Sequence, residues 1–116
     1  MILALYMEEN KMSISVNREG NPDGTIDLTI NVATTQFFIE YWEKAIKDTG
    51  AKIFKENSQF GKSQVPDVIQ ELELIKKWAE ENLTGIDLEY MTKRVENLLD
   101  NIPEAFDKEE TILYIY

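Results

Sequence analysis

The sequence predicts an α+β domain of two layers, a mainly antiparallel sheet of four or five strands with about three helices packed on one face. Three features predict it. Two stretches alternate apolar and polar residues around a turn, and later segments repeat apolar residues at helical spacing. The chain then closes on Glu110-Thr-Ile-Leu-Tyr-Ile-Tyr116, apolar or aromatic from Ile112 onward. At 116 residues and 43% hydrophobic, the chain is long enough to bury one core and too apolar to be disordered, so residues 1–116 are expected to form a single domain.

Taken in order, residues 1–7 (MILALYM) read as a first strand. They are too short and wrongly flanked for a signal peptide or membrane span. Residues 12–17 place Met12, Ile14 and Val16 on one face, and residues 25–32 do the same with Ile26, Leu28, Ile30 and Val32. The intervening REGNPDG has the chemistry of a tight turn, so an antiparallel hairpin is expected. From an N-cap at Thr34 or Thr35 the period lengthens, aligning Phe38, Trp42, Ala45 and Ile46, until Gly50 stops the helix. Residues 51–54 (AKIF) suit a short strand, and the polar KENSQFGKSQ that follows suits a loop.

Pro66 is placed for the first turn of a second helix running to about Asn82, with Val68, Leu72, Ile75, Trp78 and Ala79 inward. Asp87 is the expected N-cap of a third, carrying Leu88, Met91, Val95, Leu98, Leu99 and Ile102 and ending before Pro103. The short link between them implies a helical hairpin. Both alternating sets of the closing run are apolar or aromatic except Thr111, the pattern of a strand covered on both sides. Its last residues therefore read as structure, not tail.

Charge narrows the function. Asp and Glu number 22 against 12 Lys and Arg, a net charge of −10. Residues 1–58 carry nine acids and six bases, and residues 59–116 carry thirteen and six, so the second half holds −7 of the total. Such a field repels phosphate backbones and anionic lipid, so neither nucleic acid nor membrane is an expected partner; a basic protein is. The chain contains neither Cys nor His, which removes thiol and imidazole chemistry and the usual zinc sites. The expected location is cytoplasmic.

Residues 19–27 resemble a calcium-binding EF-hand loop through nine positions, with Glu19, Asn21, Asp23, Thr25 and Asp27 as ligand positions and Gly24 at the turn. The twelfth position is Ile30 instead of a bidentate Glu, Pro22 stiffens the loop, and the flanks read as strands, so no metal or cofactor is expected. Paired carboxylates about 5 to 10 Å apart can cleave glycosidic bonds, but Asp27, Glu40 and Glu43 have no selective spacing. No phosphate loop with its Lys is present. Phe38 and Trp42 belong to the core by their spacing, Phe37 and Tyr41 share a partly exposed side, and Trp78 is expected to anchor its helix to the sheet.

These features point to a non-catalytic acidic module that binds a basic protein. In size, acidity and the lack of obvious catalytic groups the chain is similar in kind to immunity proteins and antitoxins, which implies steering by charge and occlusion of a toxin's active site. The residues expected to meet the partner are Glu80, Glu81, Glu89, Glu96, Asp100, Glu104, Asp107, Glu109 and Glu110, with Tyr114 and Tyr116 as aromatic anchors. The alternatives are a small carboxylate-dependent enzyme and a structural module that self-associates, for example as a homodimer, through strand edges.

Overall fold

The computed structural model describes residues 12–116, so the expected strand over residues 1–7 lies outside the described residues. Within them the fold is α+β, a four-stranded antiparallel sheet with three helices packed against it. Strands β1 (Ser13–Arg18) and β2 (Leu28–Thr34) form the expected hairpin. Ser15 faces Asn31 while Ile14 faces Ala33, so Val32 is an extra residue on β2, and this bulge lets the adjacent Val32 and Ala33 both be buried. β2 starts later than the alternation suggests. The Asp27 N–H closes the hairpin on the Arg18 carbonyl at 2.9 Å, which leaves Thr25 and Ile26 in the loop and Ile26 42% exposed.

Helix α1 covers residues 35–49. The Thr34 hydroxyl caps it by accepting the Phe37 N–H at 3.2 Å, and Gly50 ends it at φ 75°. A π-turn over Phe38–Trp42 interrupts its middle, with the Glu43 N–H bonded to the Phe38 carbonyl. Phe38, Trp42 and Ala45 are fully buried, and the first two rings lie parallel with centroids 6.0 Å apart.

The next segment corrects the sequence reading twice. Residues 51–54 form no strand, because Glu71 claims their backbone. Its carboxylate accepts the N–H groups of Lys52 at 3.0 Å, Ile53 at 3.2 Å and Phe54 at 2.8 Å. That grip curls the chain and drives Phe54 into the core against Trp42, ring centroids 5.8 Å apart. The real strand, β3 (Ser58–Gly61), lies in the polar stretch expected to be a loop, where Phe60 pairs with Leu113.

Helix α2 (Val65–Asn82), with Pro66 in its first turn, and helix α3 (Gly85–Asn101) are joined only by Leu83 and Thr84. Asp87 is not the N-cap of α3. It sits within the first turn, where its charge complements the helix dipole, and takes the Tyr41 hydroxyl at 3.2 Å. The Trp78 side chain is buried in the core, and its indole N–H donates to Asp48 at 2.8 Å, tying α2 to the end of α1.

Strand β4 (Ile112–Ile115) is interior, giving the order β2-β1-β4-β3. Tyr116 prolongs the ladder by exchanging both backbone bonds with Ser15 at 2.8 and 3.0 Å, and Asn57 donates to the Ile115 carbonyl at 2.7 Å. The expected cover on both faces is incomplete. Leu113 and Ile115 are buried beneath the helices, whereas Ile112, Tyr114 and Tyr116 are only half-buried on the opposite face.

Two stability predictions follow from these contacts. Deleting residues 112–116 separates β1 from β3 and is expected to abolish cooperative unfolding; a melt like that of the full chain contradicts the central role of β4. Glu71→Ala leaves donors without an acceptor and is expected to cost about 2 kcal/mol in urea unfolding.

Candidate functional site

The helix-free face of the sheet is built by alternation. Thr29 and Asn31 come from β2, Ser15 and Asn17 from β1, Tyr114 and Tyr116 from β4, and Gln59 from β3. Short polar groups satisfy one another there: the Thr29 hydroxyl donates to the Asn17 carboxamide at 2.9 Å, and Asn17 is 3% exposed. Tyr116 is paired with Ser15, yet its hydroxyl donates to Glu19 at 3.3 Å. Ser15 and Glu19 stand about 13 Å apart along an extended strand. The Tyr116 and Glu19 side chains therefore reach toward each other along this face. Burial first, and then the Glu19 charge, raise the Tyr116 pKa above the usual phenol range, so it stays a donor at neutral pH.

This face ends at a charged rim organised by Arg18. Its guanidinium grips Asp27 with two bonds of 2.9 and 3.0 Å and donates a third to the Ala105 carbonyl at 2.8 Å, with Asp107 3.7 Å away. The hairpin is thereby tied to the connection between α3 and β4. The Gly20 N–H also donates to Asp27 at 3.2 Å, and a Cβ at Gly20 would collide with that carboxylate. Beside this knot lies an open cleft of ≈ 290 Å³ whose lining includes Glu19, Asp107, Lys108, Glu110 and Tyr114. A second, of ≈ 450 Å³, opens between β2 and α3 with Asn97, Asn101 and Glu104 in its wall.

The hairpin loop does not fit a calcium site. Asp27 is committed to Arg18 and Gly20, and Asp23 accepts both the N–H and the hydroxyl of Thr25 at 3.0 and 2.7 Å. A hard cation needs six or more converging oxygens, and a guanidinium already neutralises one of these. The Thr25 bonds lower the Asp23 pKa, the Arg18 hydrogen bond lowers that of Asp27, and the Thr111 hydroxyl lowers that of Asp107. All three move away from the range of a general acid.

The structure divides the residues expected to meet a partner. Asp107, Glu110 and Tyr114 meet at the first cleft, and Tyr116 adjoins it through Glu19. Glu104 belongs to the second cleft, and exposed Glu109 pairs with Lys62 at 2.9 Å. The rest lie on the helical layer: Glu89 pairs with Lys93 at 3.2 Å, Glu96 bridges to Lys76 at 3.1 Å, and Glu80, Glu81 and Asp100 are exposed. Sequence reasoning missed Arg18 as the organiser and Glu19 as a member of the rim. Their available signal was position, since Arg18 and Asp27 close the hairpin turn from either side.

Among the described residues no helix is long and apolar enough to cross a membrane. No protein-family model matches the chain, and no curated protein or solved structure matches it.

The rim makes stability pH-dependent in a set direction. Folded-state carboxylate pKa values below the ordinary 3.8 stabilise the protein above that pH, and the benefit is lost as pH falls through the depressed values. Arg18→Ala is expected to lower the melting temperature by several degrees at pH 7. The gap to the parent should shrink below pH 3.8, where Asp27 takes up its proton; a gap constant from pH 7 to pH 2 contradicts the Arg18–Asp27 linkage.

Proposed function

We propose that the protein is a non-catalytic binding module that receives a basic protein on the helix-free face of its sheet, as an immunity protein or antitoxin receives a toxin. The observation that carries this reading is the placement of Tyr114 and Tyr116, half-buried side by side on β4, next to a rim bearing Glu19, Asp107 and Glu110. Tyrosines held on a rigid strand offer contact area at low entropic cost and are typical interface anchors. The carboxylates beside them supply attraction to Lys and Arg, and the net charge of −10 supplies steering from a distance. The downward-shifted aspartates favour fixed negative charge over proton transfer, which supports binding above catalysis.

The test is affinity capture from the native host, with cross-linking to map the contact. One stoichiometric basic protein is expected, its capture weakening as salt rises. Tyr114→Ala and Tyr116→Ala should each weaken it roughly 30-fold or more, as for interface anchors worth about 2 kcal/mol each. Glu89→Lys, on the helical layer, should change it little. Capture of no basic protein at low salt, or capture indifferent to the tyrosines, overturns the proposal. Self-association in the absence of any heterologous protein favours the strand-edge alternative instead.

A further inference from the structure

On the helical layer, away from the sheet face, a third concavity, of ≈ 260 Å³, lies between the start of α1 and the first turn of α3. Aromatic rings build it. The Phe37 ring contacts Tyr41 at a centroid distance of 4.8 Å and meets Tyr90 edge-on at 4.6 Å. The Tyr90 hydroxyl accepts the Thr34 N–H at 3.1 Å, which locks α3 against the helix start. Two carboxylates complete the wall: Asp87, held by the Tyr41 hydroxyl at 3.2 Å, and Glu40, which accepts from Gln36 at 3.3 Å. Among the described residues no basic one lines the concavity.

We propose that this concavity is a binding site for a single organic cation, a guanidinium or ammonium group seated against Phe37 and Tyr41 and paired with Asp87 and Glu40. Three observations converge on that chemistry. Aromatic faces attract cations through their quadrupole, and the same cluster already does so within the chain, where the Arg94 guanidinium lies 5.0 Å above the Tyr90 ring. Phe37 and Tyr41 are half-buried, so their rings are held yet remain reachable. A carboxylate offers about four acceptor positions, so Asp87 keeps capacity after its bond to Tyr41.

Size and backbone agree with this ligand class. The volume falls below the roughly 300–1,000 Å³ of drug-sized pockets, which suits one side-chain-sized head group. The π-turn of α1 spans Phe38–Trp42, so Tyr41 projects from a widened turn of the kind often found at binding sites. The Asp87 hydrogen bond, then its charge, raise the Tyr41 pKa, which keeps its hydroxyl a donor to Asp87. This inference stands independently of the sheet-face reading, since the two sites share no residue.

The test is a nuclear magnetic resonance titration of the full chain with tetramethylammonium, with N-acetylarginine methylamide, and with a hexapeptide bearing one Arg between neutral residues. Saturable shifts centred on Phe37, Tyr41 and Asp87 are expected. Tyr41→Leu, and separately Glu40→Gln with Asp87→Asn, should weaken binding roughly tenfold. Because Glu40 is exposed, Glu40→Gln alone serves as a variant that preserves folding and still reduces affinity. Tighter binding of the peptide than of the free amide assigns the cation to a protein side chain, and equal binding assigns it to a small amine. Shifts that never saturate, that spread evenly over Glu80, Glu81 and the other surface acids, or that ignore the variants overturn the proposal.

Discussion

Strand β4 takes backbone hydrogen bonds from β1 on one side and β3 on the other, and among the described residues it is the only strand that joins them. Every larger feature depends on that position. The β1–β2 hairpin and β3 become one sheet only when residues 112–116 lie between β1 and β3, a pairing of segments far apart in sequence whose loop-closure entropy must be offset before the sheet returns any burial. Leu113 and Ile115 then enter the core beside Phe60 and Val16, and the alternation of the strand compels Tyr114 and Tyr116 to the other face. Core and candidate surface are two sides of the same strand.

Arg18 performs a related service at the end of the sheet. Its guanidinium holds the hairpin turn through Asp27 and the α3-to-β4 connection through the Ala105 carbonyl, 87 residues away. One fork-shaped cation thus ties the hairpin turn to the connection that leads into β4. Elsewhere the negative charge is handled differently. Glu89 and Glu96 find lysines on their own helix or its neighbour, pairs exposed enough to be weak, whereas Glu71 is used inside the structure as an acceptor for backbone N–H groups. The acidity of the chain therefore serves several ends: a structural anchor, a set of solvated pairs, and a rim beside the tyrosines.

Much of the architecture was legible because it rests on local rules. Alternation marked β1, helical spacing marked the inward faces of α2 and α3, and the Thr34–Thr35 pair and Gly50 marked both ends of α1 through capping chemistry, with Thr34 the cap in the structure. Of the candidate site, Asp107, Glu110, Tyr114 and Tyr116 were legible as charge and aromatic content near β4, but their grouping with Glu19 was not. The helical acids looked equivalent to the rim acids because a sequence records density of charge and not direction.

By itself, then, the sequence determined the fold class, three helices, the hairpin, and an acidic surface with an aromatic last strand, all set within short windows where period and capping act. Tertiary structure alone decided that Ser58–Gly61 is a strand, since four residues with one buried side chain pair only because β4 offers an edge. It also decided that residues 51–54 are not one, since Glu71 reaches their N–H groups from another helix. The meeting of Glu19 with Tyr116, and of Phe37 and Tyr41 with Asp87, belongs to the same class. Hydrogen bonds and ring contacts between residues far apart in the chain form only once packing has brought their elements together, and no local pattern encodes them.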